Sequence, residues 1–358
     1  MAGLVRYRNN DIVNDTKKVV TSTWSNNTNN LTTLFTSSTQ FATGTATSSG
    51  AFFIDVYNGN PHTANSTAEV QFSVAYGHKK GSGSLDFTND TGAIGNSPTK
   101  CIYNQYRQLV YGDETSDFSF NGHIPEDIYV INVERARFKH NLKPGTLDLR
   151  LTSGAAGGTE DSIHLTDDSV TLSGSATITN AGRQFNLVSG SLGIMSGSSL
   201  TQVAGSGSYG FFYPDSGFIV LNPDALVATG TTKGLSGSAA QGGIGPIRRA
   251  NTEEKNHERL FLVMSHSTHF IVDSEEKVSS QYYFTRARND EFNYTTNPSF
   301  IDSNGNLNYT SMIDSPQTYI TTVGLYNDMG DLVAVAKLSQ PVAKDFTKEA
   351  LIRVKLDY

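Results

Sequence analysis

Residues 318–340 read TYITTVGLYNDMGDLVAVAKLSQ, and the chain continues as PVAKDFTKEALIRVKLDY over 341–358. In the first stretch Tyr319, Thr321, Val323 and Leu325 alternate with Ile320, Thr322 and Tyr326. After NDMGD, Val333 and Val335 alternate with Leu332, Ala334, Ala336 and Leu338. Two β-branched and aromatic runs around a few residues of turn chemistry predict a β-hairpin, with Gly330 free to take a positive φ. Beyond Pro341, KDFTKEA offers one short helical turn before a last strand. There Ile352, Val354, Leu356 and Tyr358 share one face and Arg353, Lys355 and Asp357 the other. A strand with one apolar and one charged face is half buried, so this segment is expected to dock into a sheet.

The rest of the composition points the same way. Of 358 residues, 37% are hydrophobic and only 17% charged, and polarity is carried by Ser, Thr, Asn and 33 Gly. Those residues are poor helix formers and good turn formers, which favours many short strands. The 19 Phe and 16 Tyr supply core material that a disordered chain lacks. A net charge of −7 offers no electrostatic footprint for a nucleic-acid backbone. No apolar run reaches the ~20 residues that span a bilayer, and MAGLVRYRNND does not read as a signal peptide, so a protein made in the cytoplasm is expected. The single cysteine, Cys101, rules out an intrachain disulfide and a multi-cysteine metal site.

Along the chain, residues 1–50 are polar and low in complexity, with scattered apolar residues Trp24, Leu31, Leu34, Phe35 and Phe41. Such a segment buries too little surface to offset its ordering entropy alone. It is expected to be an extended N-terminal arm whose Trp24, Leu34, Phe35 and Phe41 anchor on another surface. From 51 to 235 a β-rich domain carries a Gly/Ser-rich insertion, with Val70, Phe72, Val74 and Tyr76 on one strand face. One helix is expected in SPTKCIYNQYRQLVYG, capped by Ser97 with Pro98 at its first position and Ile102, Tyr106, Leu109 and Val110 recurring, and Cys101 is assigned to packing. A brief helix, NPDALVA, is capped by Asn222. Residues 236–250 read as a linker, and 251–358 as a C-terminal β domain. The expected class is mostly β, with β-sandwich-like domains and short helices.

No motif with chemistry survives its context. GSGSYG at 205–210 matches the spacing of a dinucleotide loop but runs into FFYPDSG, which is no helix. DSNGNL at 302–307 places its Gly fourth, where a calcium loop needs it sixth, and reads as a tight turn. His266 and His269, with His257 upstream, lack a third ligand at a standard spacing. Glu160, Asp161, Asp167 and Asp168 offer hard oxygen ligands and equally read as solvated turns. No nucleophile elbow, phosphate loop or zinc-protease motif occurs, so neither enzyme activity nor a cofactor is expected.

The stretches SPTKCIYNQYRQLVYG (97–112), IYVINVERARFKHNLKPGTLDLRL (128–151), QYYFTRARNDEFNYTTNPSF (281–300) and residues 316–358 together resemble virion structural proteins of T4-like contractile-tailed phages of the cyanophage type. The members concerned are associated with the tail or baseplate, and the resemblance covers 51–152 and 278–358. It implies a structural component of the virion tail whose partners are other tail or baseplate proteins and copies of itself. It carries no catalytic residues. Arg353 and Lys355, on the outward face of the last strand, join the arm residues as expected interface positions. A second reading, of a different class, is a tail protein binding host-surface glycan through its middle domain. A third is a glycan-cleaving tail enzyme, which requires two facing carboxylates, one with a raised pKa.

Overall fold

The computed structural model describes residues 5–36, 53–83, 97–153, 162–171, 176–196, 206–227, 256–267, 269–294 and 297–358. Phe41 and the expected linker at 236–250 lie outside them, as do Glu160 and Asp161. The strands are β1 (Ile12–Ser22), β2 (Phe35–Thr36), β3 (Phe53–Tyr57), β4 (Val70–His78), β5 (Asp127–Val133), β6 (Asn141–Leu142), β7 (Asp148–Thr152), β8 (Ser162–Asp167), β9 (Thr177–Thr179), β10 (Gly182–Ser191), β11 (Ile194–Met195), β12 (Gly210–Tyr213), β13 (Phe218–Leu221), β14 (Phe270–Ile271), β15 (Asp273–Ala287), β16 (Thr318–Tyr326), β17 (Leu332–Lys344) and β18 (Ala350–Asp357). The helices are α1 (Pro98–Tyr111), α2 (Pro223–Val227), α3 (Asn256–Ser267) and α4 (Ser311–Asp314). The fold is mostly β.

The chain forms two compact units. One is Val19–Glu276, and the other combines Met1–Lys18 with Lys277–Tyr358. The division therefore falls inside β15, not at 236–250, and the expected arm is shared between the two units. No Gly or Pro announces that boundary, because the backbone leaves one core and enters the other within a continuous strand.

In the larger unit the strand order is β14-β7-β8-β10-β12-β13-β5-β4-β3-β2, with β9 and β11 paired to β10. Every pairing in the path is antiparallel. The run IYVINV of β5 is continuously apolar because both of its faces are covered. Tyr129, Ile131 and Val133 point into a core that includes Phe72, Leu149, Leu165 and the α3 residues Leu260, Val263 and Met264. Ile128 and Val130 point the other way, into a second core with Tyr103, Tyr106 and Val110 of α1. The capping expected for α1 is present: Ser97 Oγ accepts from the Lys100 amide, Pro98 opens the helix, and Gly112 closes it at φ 76°.

The buried face of α1 is Tyr103, Tyr106, Arg107 and Val110, while Leu109 is 43% exposed. The apolar count placed that face wrongly because Arg107 is buried there, its guanidinium donating to Asn104 Oδ1 at 2.7 Å and lying 3.7 Å from Asp117. Gly77 of β4 makes this packing feasible. A Cβ at that position would stand 2.8 Å from the Tyr103 backbone nitrogen, so only glycine lets the helix approach so closely. Cys101 is exposed on the opposite side and has no packing role. α2 carries its expected cap, the Asp224 amide donating to Asn222 Oδ1 at 3.1 Å.

The smaller unit has the form of a two-layer sandwich. β18 pairs with β15 over eight residues, Ser280↔Asp357 through Ala287↔Ala350, and β16 pairs with β17 as the expected hairpin. The two layers meet at Val323, Leu325, Ile352 and Val354, with Tyr7, Tyr283, Ile320 and Leu356 packed around them. Gly330 closes the hairpin at φ 87°. The register shifts between Ile320 and Thr322, where β17 carries the extra residues around Pro341. Proline cannot donate to the ladder, so the bulge sits there. The shift reverses the face, so Tyr319 and Thr321 are exposed although Val323 and Leu325 are buried. β18 alternates as read, with Ile352 and Val354 buried between exposed Leu351, Arg353 and Lys355. KDFTKEA forms a hydrogen-bonded turn, Lys348 N to Asp345 O at 3.2 Å, in place of a helical turn. Asp345 accepts from the Thr347 amide and hydroxyl and so favours the turn over helix.

His257, near the start of α3, is 4% exposed and its Nε2 has no hydrogen-bond partner. Burial lowers its pKa to about 4 from an ordinary 6.5. The unfolded chain therefore binds a proton that the folded chain refuses, and stability is lost as pH falls from 6.5 towards 4. The expected cost of this one group is about 3 kcal/mol at the acid end. Denaturation curves across that range should show the decline, and His257→Leu should flatten it. Equal slopes for the two chains would contradict this account.

Candidate functional site

The expected interface residues separate sharply. Trp24 is 2% exposed, and its ring lies 4.8 Å from Phe270 and 6.1 Å from Phe72, with Nε1 donating to the Phe270 carbonyl at 2.8 Å. It is a core residue of its own chain and not an anchor for another. Leu34 is half-buried against the same core, and Phe35 is partly exposed on β2, opposite Tyr57 of β3. Arg353 and Lys355 do project from β18, both over the ring of Tyr282 on β15. Lys355 Nζ also donates to Asp357 at 2.8 Å. That bond raises the Lys355 pKa and lowers that of Asp357, which also accepts from Ser280. The charged face of β18 is thus largely satisfied by its own neighbours.

The residues that remain unsatisfied are on the hairpin. β16 contains no charged residue, and along β17 Lys337 is the one exposed charge before Asp345. Tyr319, Tyr326, Met329, Leu332, Val333 and Val335 are all exposed, Met329 at 90% and Val333 at 67%. The side chains of Tyr326 and Leu332 lie over Gly324, within about 3 Å of where its Cβ would stand, and so gather into one patch. An alternation of one apolar residue with another does not tell which set faces out. The hairpin was legible in the sequence, and its sticky outer face was not.

A second polar arrangement sits on the larger unit. Asp148 of β7 is 4% exposed; its Oδ2 accepts from Ser191 Oγ at 2.7 Å and lies 3.0 Å from His269 Nε2. His269 Nδ1 is 3.3 Å from Asn30 Nδ2, so both ring nitrogens are engaged. His164 of β8 stands 3.8 Å from Asp148 Oδ1, and its pKa is lowered, first by burial and then by Arg150 and His269, against the pull of Asp148. Beside it opens a cavity of 640 Å³ lined by His164, Ser189, Ser191, Leu192, Met195 and Tyr209, among others.

This arrangement has the ingredients of acyl-transfer chemistry without its geometry. Ser191 donates to the carboxylate and not to an imidazole, so no base activates it. The cluster came together from three strands, whereas His266 and His269, three apart in sequence, are separated by the end of α3. Among the described residues no three His, Cys, Asp or Glu side chains are placed to hold a metal ion.

Asp167 and Asp168 both have raised pKa values through burial. Asp167 accepts the Gly145 amide on both oxygens at 2.9 Å, and Asp168 accepts the Asn186 amide and side chain at 2.9 Å. Each carboxyl holds a turn in place, and the two do not face a shared opening as glycan cleavage would require. Asp302 accepts from the Asn304 and Asn306 amides, which forms the tight turn read in DSNGNL. The stretch 206–210 enters β12 and opens no helix. The cavity lining contains one aromatic, Tyr209, which is buried and offers no stacking platform for a sugar.

Comparison of the chain with family models, curated proteins and solved structures gives no match. Among the described residues no helix is long and apolar enough to cross a membrane.

Proposed function

We propose that the chain is a structural component of a bacteriophage contractile tail, in its baseplate, and that it acts through protein–protein assembly contacts and not by catalysis. The observation that carries this reading is the outer face of the β16–β17 hairpin. Monomeric proteins rarely leave a contiguous apolar patch on a sheet face with so little charge to keep it solvated, and such patches mark surfaces that a partner covers. The resemblance of residues 97–112, 128–151, 281–300 and 316–358 to tail and baseplate proteins supplies the particle. The partners are other tail proteins, the location is the virion, and no cofactor is called for.

Purified particles provide the test. Antibody labelling and peptide mass spectrometry should find the chain on the tail, and particles assembled without it should have incomplete baseplates. Complete, infectious particles that lack the chain would overturn the proposal.

A further inference from the structure

The smaller unit also carries a feature that says what one neighbour is. Among the described residues β16 and β17 pair only with each other, so β17 has a second edge whose backbone groups have no strand beside them. Along that edge the sequence 331–337 is DLVAVAK. Its outward residues are Asp331, Val333, Val335 and Lys337, all exposed. Read from either direction the order is charge, valine, valine, charge, with the charges opposite in sign.

Resting on the assembly role above, we propose that this edge pairs with the same edge of a second copy of the chain. The two strands run antiparallel about a twofold axis through Ala334. A twofold normal to the sheet keeps each side chain on its own face, so it must pass through a residue position. Centred on Ala334, Val333 faces Val335 of the second copy and Asp331 faces Lys337, and symmetry makes each contact twice. Centred on Val335, Lys337 would face Val333 and strand a charge against an apolar side chain. Centred on Val333, it would be Asp331 that faces Val335. Only one register matches apolar with apolar and acid with base along the whole segment. Opposite charges directly across an antiparallel pair favour it, and like charges oppose it.

The partner side chains are available for this. Asp331 shares only Oδ2, with the Asn327 side chain at 3.1 Å, and Val333 and Val335 are 67% and 57% exposed. The chain as a whole is acidic, so two copies repel in most other orientations, and this nearly uncharged strip is where approach costs least.

Sedimentation velocity on the full chain over a range of concentrations tests the pairing. The parent should form a dimer. Lys337→Glu turns both ion pairs into repulsions and should weaken dimerisation roughly tenfold or more. Adding Asp331→Lys to it should restore association. In a Cys101→Ser background, Ala334→Cys sits on the axis and should give a disulfide-linked dimer on mild oxidation, whereas Val342→Cys should not. A chain that stays monomeric at all concentrations, a Lys337→Glu chain that dimerises like the parent, or equal cross-linking at 334 and 342 would overturn the pairing. Finding a strictly monomeric chain on tails would sink this inference alone, and finding the dimer but no chain in particles would sink the tail role alone.

Discussion

Trp24→Ala should remove a large part of the stability of the larger unit. The indole fills the space between Phe72 and Phe270 and donates to the Phe270 carbonyl, and all three rings lie in one buried cluster. Truncating a buried aromatic to alanine costs about 3–5 kcal/mol, against a whole-domain margin of about 5–15. Urea unfolding should therefore shift to a much lower midpoint. Trp24→Phe keeps a ring but gives up the hydrogen bond, so it should fall between the two. Because Trp24 is the sole tryptophan, the parent should also emit at short wavelength and resist quenching by iodide until it unfolds. Deleting residues 1–45 should unfold the larger unit outright, since it takes away Trp24 and Leu31 together. A Trp24→Ala chain with the parental midpoint would return this residue to the surface role expected from sequence.

Val354→Asp should be equally severe for the smaller unit, whose central core is only Val323, Leu325, Ile352 and Val354. Val354 is 5% exposed and pairs across the sheet with Tyr283. An aspartate there has no cation to meet, and burying an unpaired charge costs several kcal/mol, a large share of what so small a core can supply. Limited proteolysis should then cut within residues 277–358 at sites the parent protects. Lys355→Asp, one position away and exposed, should be cut and should melt like the parent. If Val354→Asp resists protease as the parent does, β18 is not docked as described.

The contrast between these two residues shows what could be read from sequence. The burial of Val354 was legible because its evidence is local: apolar and charged residues alternate at every step from 351 to 357. The capping of α1 was legible for the same reason, with Ser97, Pro98 and Gly112 all within one helix length. Trp24 was misread because its partners are remote, Phe270 being 246 positions away, and a polar segment with one aromatic looks alike whether it docks on its own fold or on another. The Asp148 cluster was invisible because Asp148, His164, Ser191 and His269 lie on different elements, and no spacing rule connects residues that only a sheet brings together. Likewise the bulge at Pro341 reversed the faces of β16, a change set by the partner strand and not by β16 itself.

The smaller unit is assembled from residues on both sides of the larger one: Tyr7 stacks edge-on against Tyr283 and bonds to Thr285, and β15 waits for β18. During synthesis the first of these segments leaves the ribosome some 270 residues before its companions exist, so it must remain uncommitted while everything between is translated. The hairpin and its adhesive edge are among the last parts to emerge. A chain released early therefore lacks the surface that would let it enter a growing particle, and the order of translation itself keeps unfinished copies out.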